Sequence, residues 1–240
     1  MRSKTFLSVV LAVLFFSAPA LSASDEECER FRRGNEAYNR GHYEMAIIEY
    51  RAAITLFGDH FAQAQYNTGV CHYKLGRKAD AVTWFRAAVK SRGGRYPRAS
   101  YALGVALDDL NRSGEAKTAF SQAVKASDGE LVEAVFMLGL ALYRDGDLDG
   151  AARHYRQAIR LSGDRIPACH NNLGVVMAAL GYLEQAEREF ETALAQSKSR
   201  FDDALRNLKL CRTLLASNTP VLVAEMKMSG AAQAGVLKAE

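Results

Sequence analysis

The chain has 240 residues, with 31 basic against 27 acidic side chains and a net charge of +4. Without Arg2 and Lys4, which lie in an apparent leader, the balance falls to 29 against 27. That argues against nucleic acid as the main partner. No run of 18 or more apolar residues occurs, which excludes an ordinary membrane-spanning helix.

Residues 1–23 have the form of a secretory signal peptide. Arg2 and Lys4 give a positive start, Phe6 to Phe16 a short apolar core, and Ala18-Pro19-Ala20 and Ala20-Leu21-Ser22 two small-x-small cleavage patterns. An exported mature chain, periplasmic or extracellular, is expected. An uncleaved anchor is the alternative, weakened by an apolar core shorter than the ~20 residues a span needs.

From residue 27 to 201 one pattern recurs at a step of 35 residues. Counting each copy from its first residue, position 8 is Gly34, Gly69, Gly104, Gly139 and Gly174. Position 20 is Ala46, Ala81, Ala116, Ala151 and Ala186. Position 24 is Tyr50, Phe85, Phe120, Tyr155 and Phe190, and position 27 is Ala53, Ala88, Ala123, Ala158 and Ala193. The copies are 27–61, 62–96, 97–131, 132–166 and 167–201. Each carries two amphipathic helices, A and B. The break between them falls at Gly41, Gly76, Asn111, Gly146 and Gly181, residues suited to a left-handed helix stop. Glycine inside a helix costs roughly 1 kcal/mol against alanine, so the position-8 column implies close helix packing beside the position-24 aromatic. Pro97 and Pro167 suit the first turn of helix A.

This spacing, L-G-x2-Y on helix A and A-x3-F on helix B, resembles the tetratricopeptide repeat family. The resemblance implies an all-α solenoid of five helix hairpins over 27–201 with a capping helix at 202–216, so that 27–216 forms one domain. The period is one residue longer than the family's usual one. The large residue usual at position 4 is replaced by Arg30, Gln65, Ser100, Val135 and His170. Residues 217–240 read as a mostly disordered, flexible tail, with a docking peptide as the alternative.

Cys28, Cys71, Cys169 and Cys211 make an even count in a chain with a leader, which invites disulfides. Repeat geometry opposes the obvious pairs. Cys28 and Cys71 are offset by about 12 Å along parallel helices, and Cys169 and Cys211 by about 10 Å, whereas a disulfide needs Cβ atoms about 4 Å apart. Four buried or half-buried thiols are expected.

No catalytic or metal-binding constellation emerges. Cys71-His72 and Cys169-His170 are adjacent on helices, where neighbours point about 100° apart. There is no His pair at i, i+4, no C-x-x-C and no phosphate-binding glycine loop. The chain reads as a non-enzyme without cofactor or metal, and another protein is the expected partner.

The resemblance places helix A on the concave face. Position 5 there is Phe31, Tyr66, Tyr101, Phe136 and Asn171, and position 12 is Tyr38, Tyr73, Asp108, Tyr143 and Ala178. Position 6 supplies Asn67 and Asn172, with Asn207 in the cap. Such a groove would take a peptide segment of a partner, the aromatics giving contact area and the asparagines bonding its backbone. Asn35, Asn67 and Arg98 match three places of the family's carboxylate clamp, but Phe31 and Ala102 stand at its two other basic places. A basic patch at Lys90, Arg92, Arg95 and Arg98 is read chiefly as a solvated link. The functional expectation is a protein-binding scaffold in envelope or secretion-complex assembly. Self-assembly and a regulatory subunit of an envelope enzyme are the alternatives.

Overall fold

A computed structural model describes residues 23–57, 61–198, 200–217 and 220–230. The expected signal peptide lies almost wholly outside the described residues. The described chain is helical. The A helices are α1 (Ala23–Asn39), α3 (Ala62–Lys74), α5 (Pro97–Asp108), α7 (Val132–Arg144) and α9 (Pro167–Ala179). The B helices are α2 (Tyr43–Phe57), α4 (Lys78–Ser91), α6 (Ser113–Ala126), α8 (Leu148–Leu161) and α10 (Leu183–Gln196), and α11 (Asp202–Ser217) is the cap. From α2 onward the helix starts keep the sequence period in both series.

Each helix packs on the next in the chain, as in a quasi-one-dimensional stack. In addition α3 meets α5, α7 meets α9 and α9 meets α11, while no two successive B helices approach as closely. The A layer is therefore the inner, concave side.

The repeating residues explain this geometry. The alanines at positions 20 and 27 are at most 1% exposed in every copy, as are the rings at position 24. A Cβ added at position 8 would meet that ring at 2.5 Å from Tyr50, 2.7 Å from Phe85, 2.5 Å from Phe120, 3.1 Å from Tyr155 and 2.6 Å from Phe190. Carbon atoms pack best at about 3.5–4.0 Å. Glycine thus lets the B-helix ring lie flat against the A-helix backbone. The A-to-B break is left-handed in every copy, with φ of 78° at Gly41, 74° at Gly76, 58° at Asn111, 82° at Gly146 and 85° at Gly181.

The link from helix B to the next repeat is also built on left-handed backbone. It uses Gly93 and Gly94, Asp128 and Gly129, then Gly163 and Asp164. Glutamines of the following B helix fasten two of these links, Gln122 to the Gly94 carbonyl at 3.4 Å and Gln157 to the Gly129 carbonyl at 2.9 Å. Three of the five position-4 residues make polar pairs where a large residue is usual. Arg30 bonds Glu49 at 3.2 Å, Ser91 bonds Gln65 at 2.7 Å, and His170 pairs with Glu189 at 2.7 Å.

Of the expected tail, the described residues include Pro220–Glu225, a 3-10 turn, and Met226 to Gly230, which lies against α9 and α11. One expectation is corrected. The four cysteines are free, yet Cys28 is exposed rather than buried, while Cys71, Cys169 and Cys211 are buried.

Candidate functional site: an asparagine wall on the concave face

Three of the four position-5 rings are core, and Phe31 is half-buried. Tyr66 is 3% exposed, Tyr101 7% and Phe136 1%. Each packs on the position-24 ring of its own repeat: Phe31 on Tyr50, Tyr66 on Phe85, Tyr101 on Phe120 and Phe136 on Tyr155, with centroids 5.6 to 6.2 Å apart. The expectation that Tyr66, Tyr101 and Phe136 form the contact surface of the groove is therefore corrected. Their faces are spent on hairpin packing. The position-12 tyrosines Tyr38, Tyr73 and Tyr143 are half-buried, and the Tyr73 hydroxyl donates to Asp109 at 2.7 Å. Arg98 is exposed.

The asparagines fall into two groups. In the first two repeats, Asn35 accepts from the Tyr50 hydroxyl at 2.7 Å and from Asn67 at 3.3 Å. The second group, Asn171 and Asn172 on α9 with Asn207 on α11, is fully buried. It forms a wall, and the chain's own C-terminal segment lies along it.

Asn207 Nδ2 donates to the Lys227 carbonyl at 2.8 Å, and the Lys227 N–H donates back to Asn207 Oδ1 at 2.8 Å. One step along, Asn172 Nδ2 donates to the Ser229 carbonyl at 3.0 Å and the Ser229 N–H donates to Asn172 Oδ1 at 2.6 Å. Asn171 lies between them, donating to the Lys227 carbonyl at 3.0 Å and the Ser229 hydroxyl at 3.1 Å, and accepting from Asn207 at 2.9 Å. In an extended chain, alternate residues turn the N–H and C=O to the same edge. Two side-chain amides here do what a neighbouring strand would do.

Position 24 accounts for two of the three position-6 asparagines. A buried tyrosine hydroxyl needs a partner. The two tyrosines of the column, Tyr50 and Tyr155, are each followed in the next repeat by an asparagine at position 6, Asn67 and Asn172. Asn67 hydrogen-bonds Tyr50, and Asn172 Nδ2 reaches the Tyr155 hydroxyl at 3.2 Å. Phe85 and Phe120 are followed by Ala102 and Met137. Asn207 breaks the rule, because it follows Phe190. With no tyrosine to satisfy, it spends one donor and its acceptor on the Lys227 backbone.

The sequence profile described as Tetratricopeptide repeat matches residues 31–100, 101–166 and 136–200. The chain is a tetratricopeptide repeat protein. No match was found among curated protein sequences. Among solved structures the fold is similar to that of MamA from Desulfovibrio magneticus, at 21% identity and TM-score 0.65, over 75% of this chain and 99% of that one. It is similar to YrrB, described as a TPR protein with an unusual peptide-binding site, at 22% identity and TM-score 0.63, over 74% and 90%. It is also similar to pilF of Pseudomonas aeruginosa, at 16% identity and TM-score 0.65, over 85% and 90%. These likenesses concern the fold. Tetratricopeptide repeat membership supports a protein–protein interaction scaffold.

Three cysteines and two histidines of this tetratricopeptide repeat protein lie in or beside the helix packing. Burial pushes the Cys71 and Cys169 thiols up to about 12 and Cys211 to about 11, away from nucleophilic use. His170 bridges Glu189 at 2.7 Å and Asp164 at 2.5 Å, tying α9 to α10 and to the preceding link. Burial of its ring opposes the charge, but the Glu189 and Asp164 hydrogen bonds together outweigh it and raise the His170 pKa. His72 goes the other way, lowered by burial despite Asp80 at 3.6 Å. Sequence reasoning missed Met226, Lys227 and Ser229 as members of the site. The one signal that could have found them is Asn207 standing after a phenylalanine.

Proposed function

We propose that this protein is a non-catalytic adaptor that holds an extended segment of a protein partner along its concave face. Asn171, Asn172 and Asn207 are the main-chain readers. The observation that carries the reading is the pair of two-point amide contacts from Asn207 to Lys227 and from Asn172 to Ser229. Contacts of this kind are indifferent to the side chain of the residue they hold, so the same wall accepts another chain in the same conformation. This is strand addition in miniature, with side-chain amides in place of a sheet edge. The leader-like N-terminus supports exported work in the cell envelope, within an assembly or secretion complex.

The test is affinity capture from envelope extract with residues 24–240, beside the variant Asn172→Ala/Asn207→Ala. The partner should be lost in the variant while the helical signal is retained. A partner held equally by both chains refutes the wall as the binding site. Tyr66→Ala and Tyr101→Ala do not serve here. Removing a buried ring costs about 3–5 kcal/mol, so lost capture would report damaged packing.

A further inference from the structure

We propose that residues 226–230 are a built-in ligand of the asparagine wall, and that a partner gains this part of the groove only by displacing them. The inference rests on the wall being a peptide-reading surface. It adds what the wall selects and what keeps it closed.

The segment is held as a ligand is held. Both backbone groups of Lys227 and both of Ser229 go to asparagine side chains of α9 and α11. The side chains show what else is read. Ser229 is 1% exposed and its hydroxyl accepts from Asn171, so its place takes a small residue. Met226 is 7% exposed within the apolar core, and Met228 is packed at the edge of that core. Lys227 projects outward and contributes only its backbone. The pattern is apolar, any residue, apolar, small, in extended conformation. A competing partner segment carries the same pattern.

The attachment is covalent and short, since the turn at Pro220–Glu225 joins the segment to the α11 side of the wall. A ligand on a short linker acts at an effective concentration in the millimolar range. If the segment by itself binds with Kd of about 0.1 mM, the tether weakens any competitor about tenfold, in proportion to the closed fraction.

The probe is a labelled peptide of residues 223–230, titrated into the full mature chain and into the same chain carrying Met226→Asp/Ser229→Glu. Those changes place carboxylates where the apolar core and the small buried site exclude them, which expels the tail and leaves the wall intact. Expected is binding at least about tenfold tighter to the expelled-tail chain, abolished when Asn172→Ala/Asn207→Ala is added. Amide exchange in the unmodified chain should show Lys227 and Ser229 protected. Equal, measurable binding to both chains, or unprotected Lys227 and Ser229 amides, overturns the built-in ligand but leaves the peptide-reading wall standing. Absence of binding to either chain overturns both.

Discussion

Gly104→Ala tests the packing rule on which the whole array depends. Gly104 lies in α5, and an added Cβ would sit 2.5 Å from both Cδ1 and Cε1 of Phe120 and 3.0 Å from Cζ. The intruded atoms belong to a ring 1% exposed, wedged beside Tyr101 with centroids 6.2 Å apart. That ring has no flexible end to swing aside, so α5 and α6 must part by about 1 Å to restore carbon contact. Overpacking of this kind costs about 1–3 kcal/mol. Against it stands the gain of about 1 kcal/mol for alanine over glycine in a helix. With the clash this short, the cost falls at the upper end, and a net loss of about 1–2 kcal/mol is expected. Urea unfolding followed by circular dichroism reads it as a lowered midpoint. Gly114→Ala is the control, since nothing lies within 4 Å of its added Cβ and the helix gain stands alone. A Gly104→Ala chain as stable as the Gly114→Ala chain would refute the reasoning.

Other outcomes follow from single sites. Ellman titration of the native chain should find one fast thiol, Cys28, with Cys71, Cys169 and Cys211 reacting only on unfolding. His170 has a folded pKa raised above its ordinary value near 6.5. Its two carboxylate contacts therefore stabilise fully below that value and fade as pH rises through the folded pKa. Urea midpoints on both sides of this window should show that loss, and His170→Gln should flatten it. Tyr155→Phe should cost about 1 kcal/mol for one buried hydrogen bond. Asn172→Ala should cost about 1–3 kcal/mol beyond its effect on the tail, because it strands the Tyr155 hydroxyl. A double-mutant cycle checks this, and additive losses would show that the pair is not coupled.

The candidate site was half legible. Asn172 and Asn207 stand out in the sequence because position 6 recurs on one face of helix A, but Asn67 in the same column bonds the side chains of Asn35 and Tyr50 instead. The aromatics Tyr66, Tyr101 and Phe136 share the same helical stripe and looked equally available. Helix periodicity places a side chain on a face but cannot say whether the facing helix already covers it. Here the position-24 ring of each hairpin does, at centroid distances near 6 Å. The tail was illegible for another reason. Residues 226–230 have no period and no cap, and what holds them are main-chain groups that every sequence possesses.

By itself the sequence determined the array. Its 35-residue step, its glycines opposite rings and its left-handed stops are local or nearest-neighbour requirements, met within one hairpin and its successor. Only the tertiary structure decided what the groove presents. That outcome depends on contacts between residues as far apart as Asn171 and Ser229, where residues 226–230 come back onto Asn171, Asn172 and Asn207.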